Sequence, residues 1–197
     1  WEMLSIRRNK AKHFKNWSSS VYCQPGDFVA AGDLPALIEV VDHCRAEGKT
    51  IRLVGSGHSF TPLVATTDLL LSIDHLSGIE SIDHENRLVT VWAGTRLKDL
   101  AEALFQYGYA LENLGDINVQ TLAGAISTGT HGTGIDFGSV ATQVHDLTIL
   151  TGTGELLHIS PTENAHLLEA VKVSLGMLGI IVKVTLKVLP AYQLIAH

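Results

Sequence analysis

The sequence predicts a mixed α+β domain whose single core can divide into two lobes. Three observations predict it. The 197 residues are 46% hydrophobic and 17% charged, apolar enough for one good core and too apolar for disorder. Apolar positions switch between helical and strand spacing along the whole length. Adjacent strands read as hairpins more often than a strict βαβ repeat would give.

Taken in order, residues 1–27 are mixed, with a basic opening at Arg7, Arg8, Lys10, Lys12 and Lys15 that reads as a solvated face. Asp33 can cap a helix that starts at Leu34-Pro35, where proline is tolerated. Leu34, Leu37, Ile38, Val41 and Cys44 then share one face, and Gly48 ends the helix. Residues 51–54 form a short strand that runs into Gly55-Ser56-Gly57-His58-Ser59, and residues 69–73 form another. Residues 79–82 and 88–92 read as a hairpin around His84-Glu85-Asn86. Thr95 is placed to cap a helix with Leu97, Leu100, Ala101 and Leu104 on one face, stopped by Gly108. A glycine- and threonine-rich stretch follows over 115–138. Residues 144–150 and 156–159 pair across Thr151-Gly152-Thr153-Gly154, residues 164–173 read as helix, and 180–189 as a last strand.

Composition excludes several functions. With 14 Lys+Arg against 20 Asp+Glu, the net charge of −6 argues against a general nucleic-acid binder. No apolar run approaches the roughly 18 residues that span a bilayer. The amino end, Trp1-Glu2-Met3 and then basic and polar, shows no signal peptide; a chain that starts with Trp reads as an excised or processed piece. Cys23 and Cys44 fit no zinc spacing, and the ten histidines include no His-Glu-x-x-His pair, so no metal site is expected. Two free thiols in a reducing, cytoplasmic compartment are the expectation, with one disulfide between them the alternative.

The glycine loops carry the chemistry. Gly55-Ser56-Gly57-His58-Ser59-Phe60 follows a strand, and such glycines let a backbone approach a bulky anion with its N–H groups, although a tight turn at the strand end accounts for this loop equally well on its own. The Rossmann fingerprint fails here, because Phe60 stands where a third glycine belongs and Thr61-Pro62 replaces the helix. No Walker A sequence occurs. The second loop runs from Asn113-Leu114-Gly115-Asp116 through Gln120-Thr121 to the small residues of 123–134, with hydroxyls at Ser127, Thr128, Thr130 and Thr133. That mixture suits a pyrophosphate, with Thr121 opening a short helix whose positive end can face it. It is too poor in charge for a solvent loop and too rich in hydroxyls for packing alone. Two such loops about sixty residues apart suggest one large phosphate-bearing ligand held from two sides.

Val54-Gly55-Ser56-Gly57-His58-Ser59, the run Gly124-Ala125-Ile126-Ser127-Thr128-Gly129-Thr130-His131-Gly132-Thr133-Gly134, and Leu178-Gly179-Ile180-Ile181 together resemble the FAD-binding domain of the vanillyl-alcohol oxidase superfamily. Within it the resemblance is nearest to the sugar-1,4-lactone oxidases, namely gulonolactone and arabinonolactone oxidases, with alditol oxidases close by. The likeness covers about 17–190. It implies the two-lobed α+β FAD fold of the vanillyl-alcohol oxidase (PCMH) type, with lobes of about 17–93 and 94–190. Residues 1–16 would be an N-terminal extension, and 191–197 the start of a connection to a substrate domain absent from this chain.

The resemblance also implies site residues. His58 matches the histidine that carries the flavin covalently through its 8α-methyl carbon, which requires a neutral imidazole nucleophile. A histidine that merely lines the loop is the alternative. Gly55, Ser56, Gly57 and Ser59 would hold the pyrophosphate, Asp116, Thr121, Ala125, Ser127 and His131 would line the cofactor from the second lobe, and Ile180 and Ile181 would pack on the adenine side. His131 could equally be a hydrogen-bonded scaffold residue. Gly115 matches a site beside the reactive face of the flavin, where oxygen-using members often have glycine and a cytochrome-reducing relative has alanine; the missing methyl leaves room for O2. Trp17, Trp92, His75, His84, His145, His158 and His166 carry no motif and read as core or surface.

The implied activity is oxidation of a sugar-1,4-lactone, with hydride transfer to FAD and reoxidation by O2 to hydrogen peroxide. The lactone, or a polyol in an alditol oxidase, would be bound by the absent C-terminal domain, so no catalytic base can be nominated here. A stand-alone flavin module serving a partner chain, and a glycine-rich structural domain without cofactor, are the rival classes.

Overall fold

The computed structural model describes residues 6–9 and 13–193. Two sheets share one continuous core. The chain enters through β1 (Ile6–Asn9) and a small hairpin of β2 (Phe14–Lys15) and β3 (Tyr22–Cys23). It continues into β4 (Asp27–Ala31), α1 (Leu34–Ala46), β5 (Ile51–Leu53) and β6 (Leu69–Ser72). These strands form a sheet of order β1-β4-β6-β5, with β6 parallel to both neighbours and β1 antiparallel at the edge. Strand β6 is buried at every position, as expected of a central parallel strand.

Helix α1 forms where its spacing places it. The Asp33 carboxylate accepts the Ala36 N–H at 2.9 Å, and Ala36, Leu37, Val40, Val41 and Cys44 are buried. Gly48 leaves the helix at φ +65°, a left-handed conformation that suits glycine. Cys23 and Cys44 are free thiols.

The second sheet is antiparallel throughout. It contains the hairpin of β7 (Ile79–Asp83) and β8 (Leu88–Trp92), then receives strands from further along the chain. Between them lie α2 (Leu97–Gln106), β9 (Tyr109–Ala110) and α3 (Leu122–Ser127). After a 3₁₀ turn come β10 (Val144–Leu150), β11 (Leu156–Ile159), α4 (Leu168–Lys172), β12 (Ile180–Lys187) and β13 (Leu189–Pro190). The sheet order is β11-β10-β12-β8-β7, and the change of sheet therefore falls between Ser72 and Ile79. Strand β12 lies at the centre and is buried at almost every position, whereas β8 alternates.

Four local expectations need correction. Thr95 does not cap α2: Arg96 holds the cap position, while the buried Thr95 hydroxyl donates to Trp92 O and accepts the Gly78 N–H at 2.8 Å. The last strand breaks after Lys187, because β13 leaves the sheet to pair with β9. The predicted helix over 164–173 is a 3₁₀ turn (Ala165–Leu167) followed by α4, since Asn164 sits in a left-handed conformation at φ 53°. The unplaced amino-terminal stretch contributes β1 to the first sheet, carrying Arg7 and Arg8. Lys15 is exposed, whereas Lys10 and Lys12 lie outside the described residues. So do 1–5 of the expected extension and 194–197 of the expected connection.

Gly94 sits at the crossing between the sheets. A Cβ there would stand 2.8 Å from Leu76 O and closer still to Ile73 O, both backbone atoms that cannot yield cheaply. Gly94→Ala should therefore destabilise the protein by about 3 kcal/mol or more in urea denaturation. Gly152→Ala, whose Cβ meets open space, should change stability by less than about 0.5 kcal/mol.

On β11, His158 lies 3.0 Å from Glu163 and 3.5 Å from Asp146. The hydrogen bond with Glu163 is the largest influence; burial opposes it, Asp146 adds to it, and the pKa stands above the ordinary 6.5. A raised folded-state pKa gives stabilisation that is complete below about pH 6.5 and lost as pH climbs through the folded value. His158→Gln should thus lower the melting temperature at about pH 5.5 and leave it nearly unchanged at about pH 9.

Candidate functional site

A cleft of about 650 Å³ opens where the two sheets meet. Its first wall is the loop after β5, and its second is α3 with the turns that precede β12. The size and apolar lining are those of a small-molecule or cofactor site.

The first wall follows from its glycines. No helix follows β5, so the Rossmann geometry is absent, as the sequence predicted. Gly57 adopts φ +67°, which turns the chain back toward the cleft. Gly55 lies against Thr121: a Cβ on Gly55 would stand 3.2 Å from Thr121 Cγ2 and overlap Thr121 Oγ1. Only glycine lets the two walls come so close. Ser56 donates to Val119 O and accepts from the Arg96 guanidinium, which also donates to Val119 O at 2.9 Å and to Asp74 Oδ2 at 3.1 Å.

The second wall is laced to the end of β8. Lys98 N–H donates to Asn118 O, Leu97 N–H to Gln120 O, Leu122 N–H to Thr95 O and Ala123 N–H to Ala93 O. Thr121 caps α3, its hydroxyl accepting the Gly124 N–H at 3.3 Å, as its place in the sequence predicts. The turn before β12 adds Leu175 in a left-handed conformation (φ 54°) and Gly179 at φ +145°.

The predicted site residues divide. Gly55, Ser56, Gly57, His58 and Ser59 line the cleft from one side. Thr121 and Ser127 line it from the other, with Ile180 and Ile181 at its base. Ala125 is fully buried in α3 and lies behind the wall. Gly115, Asp116 and His131 are not among the lining residues. Gly115 and His131 instead lie together on two adjacent loops, where a Cβ on Gly115 would stand 3.2 Å from His131 O. His131 Nδ1 is 2.8 Å from Gly132 O, and its backbone bridges Ser139, a scaffold arrangement. Gln120 Nε2, 3.3 Å from Thr130 Oγ1, joins this pair of loops to the cleft.

Sequence reasoning missed several participants. Asp74 and Gln120 both line the cleft, and each has one buried oxygen, Asp74 Oδ1 and Gln120 Oε1, with no hydrogen-bond partner among the described residues. Nothing in the spacing of either residue signals this. Nothing in the sequence marks Arg96, whose guanidinium meets Ser56 and Asp74 only in the fold. Trp17, read as core or surface, stacks on His58 with ring centroids 5.2 Å apart and planes at 25°.

The lining is short of charge. Arg52 and Asp74 are its only charged side chains among the described residues. An anion here would be held by backbone N–H groups and hydroxyls, as in other glycine-rich anion sites.

Comparison with known proteins gives the family. The chain is 42% identical to a D-arabinono-1,4-lactone oxidase of Yarrowia lipolytica, over 97% of this chain and 38% of that protein. It is 37% identical to the L-gulonolactone oxidase of Bos taurus, over 94% of this chain and 42% of that one. It therefore spans about two-fifths of the length of these relatives. Cholesterol oxidase of B. sterolicum shares the fold, with a TM-score of 0.83 at 19% identity over 95% of this chain and 38% of that one. The FAD binding domain family matches residues 25–160, which include the first glycine loop, the whole of α3 and both strands of the β10-β11 hairpin. Since that match takes in most of the chain, with the first glycine loop and α3, the protein belongs to the FAD binding domain family.

Proposed function

We propose that this chain is the cofactor-holding part of an aldonolactone oxidase, a flavoprotein that oxidises a sugar-1,4-lactone with O2 as acceptor and hydrogen peroxide as product. The observation that carries this reading is His58 on the wall of the cleft, on a glycine loop of an FAD binding domain similar in sequence to lactone oxidases. The lactone would be bound largely by residues beyond those of this chain.

The residues present fit FAD. A Cβ on Gly55 would overlap Thr121, so the glycine lets the first wall close on the second and keeps the backbone of that loop able to approach a pyrophosphate. Among the described residues Asp74 Oδ1 and Gln120 Oε1 are buried acceptors without donors, and the hydroxyl and N–H groups of FAD are donors of the required kind. Gly55, Ser56, Gly57 and Ser59 would hold the pyrophosphate from the first wall, with Thr121 and Ser127 opposite. Ile180 and Ile181 give an apolar floor for the adenine side. When bound, FAD supplies the redox chemistry, taking a hydride from the substrate and passing two electrons to O2. The protein's own groups bind, orient and exclude water.

His58 is proposed as the covalent anchor, joined to the flavin 8α carbon. Flanking residues Gly57 and Ser59 leave its imidazole room to reach into the cleft, where it is half-buried. The purified protein should keep its yellow colour in the pellet after acid precipitation, and His58→Ala should release all of it to the supernatant. Colour released from the unmodified protein would sink the covalent assignment, and peroxide formed from xylitol or sorbitol but from no aldonolactone would replace the substrate class with polyols.

Gly115 is proposed to leave room for O2. A methyl there would stand 3.2 Å from His131 O and 3.3 Å from Thr130 Cγ2, closer than ordinary van der Waals contact. Gly115→Ala should slow O2 consumption by the substrate-reduced protein by about tenfold or more, about 1.4 kcal/mol of barrier, with the reductive half-reaction unchanged. An unaltered rate in stopped-flow reoxidation would remove Gly115 from this role.

A further inference from the structure

A histidine on a glycine loop has the freedom to reach a cofactor and no reason of its own to point at one. Among the described residues nothing hydrogen-bonds to the His58 imidazole. The loop is instead held from outside, by a closed turn about forty residues earlier in the chain. Trp17 N–H donates to Gly57 O at 2.9 Å, and Asn16 Nδ2 donates to Ser59 O at 3.0 Å, so the backbone is tied on both sides of His58. Asn16 is buried and anchors the turn itself: its N–H donates to Val21 O, its Oδ1 accepts the Val21 N–H at 3.0 Å, and its amide reaches Ser18 and Ser20. The indole of Trp17 then lies against the imidazole, and Phe60 meets the same indole edge-on at 6.4 Å. Trp17 itself is 65% exposed, so burial of its ring does not account for its place.

We propose that Trp17 is the positioning residue for flavin attachment, its ring serving as the template that aims the His58 imidazole at the flavin methyl; this rests on His58 being the covalent anchor. In that step a C–H bond of the 8α-methyl breaks and an N–C bond to the imidazole forms. One proton leaves the methyl and one leaves the imidazole nitrogen. The electron pair of the broken bond stays on the flavin ring, and dissolved O2 takes those two electrons and both protons as hydrogen peroxide. The rate of such a bond formation depends on how often the nitrogen occupies the attacking position, and a misplacement of about 1 Å can cost about a hundredfold. With the stack removed, the backbone ties remain and the ring turns freely about its own bonds.

Apoprotein from flavin-depleted cells, incubated with FAD in air, gives the test as a time course of acid-stable flavin. Trp17→Leu should attach flavin at least about tenfold more slowly than the unmodified protein, while Trp17→Phe, which keeps an aromatic face, should recover most of the rate. Bound FAD released by acid shows that a slow variant still folds and takes up the cofactor. Equal rates for the unmodified protein and Trp17→Leu overturn the proposal, as does Trp17→Leu matching Trp17→Phe, which would mean bulk rather than stacking. Should the Leu variant fail to fold, the Phe variant and fluorescence of the apoprotein decide. The stacked imidazole covers one face of the indole, so the Trp17 emission, taken as the difference from Trp17→Phe, should be quenched more steeply by acrylamide in His58→Ala than in the unmodified protein. Equal quenching in the two proteins overturns the stack. If the unmodified protein binds FAD and attaches none of it, the His58 assignment itself fails, and this proposal with it.

Discussion

Gly94 lies with its backbone flat against the carbonyls of Ile73 and Leu76, and the geometry of the cleft depends on that contact. It brings the end of the first sheet onto the end of β8, so that the Gly94 N–H donates to Leu76 O and the neighbouring Ala93 N–H donates to Val182 O on β12. From this seam the segment 118–123 is laced antiparallel onto 93–98. Thr121 is thereby delivered to the one place where Gly55 has no side chain. The Arg96 guanidinium closes the arrangement, joining Ser56 of the first wall, Val119 of the second and Asp74 between them. Neither wall is rigid alone: the first is a glycine turn and the second a six-residue helix. Their separation is fixed because both are fastened to the same seam.

That fastening explains how a loop so rich in glycine and threonine can be a binding surface. Glycine costs conformational entropy when it is ordered. The cost is met by buried strands on either side, with β6 and β12 central in their sheets, and not by contacts within the loops. The loops are left free to present N–H groups and hydroxyls.

Much of this was legible in the sequence. The Asp33 cap, the buried face of α1, the β7-β8 and β10-β11 hairpins and the Thr121 cap rest on local spacing and local hydrogen bonds, and local spacing is what a sequence displays. The failure of the Rossmann match was legible too, from Phe60 and Pro62. What escaped was contact between distant segments. Thr95 has the chemistry of a cap, yet its hydroxyl is committed to Trp92 and Gly78 across the start of the β7-β8 hairpin. Trp17 has no motif because its partner lies about forty residues away, and Arg96 reads as an ordinary helix residue until Ser56 and Asp74 are brought beside it. Ala125 sits in a recognisable motif, but helical periodicity turns it inward, behind the wall that Ser127 faces.

The same arrangement bears on how an acidic protein holds an anionic cofactor. The net charge is −6, and Asp74 in the lining is countered by Arg96. Recruiting lysines would have been the long-range solution, but a flexible ammonium is a point charge that gives little orientation. Backbone N–H groups on a fixed turn act over a few ångströms only, yet they set direction as well as attraction, and they need no desolvation of a charged side chain. Their strength depends entirely on the loop being held in one conformation. In this fold the demand for a rigid seam and the scarcity of basic residues in the cleft are therefore one design: the more the anion is left to oriented dipoles, the more the structure must fix the loops that carry them.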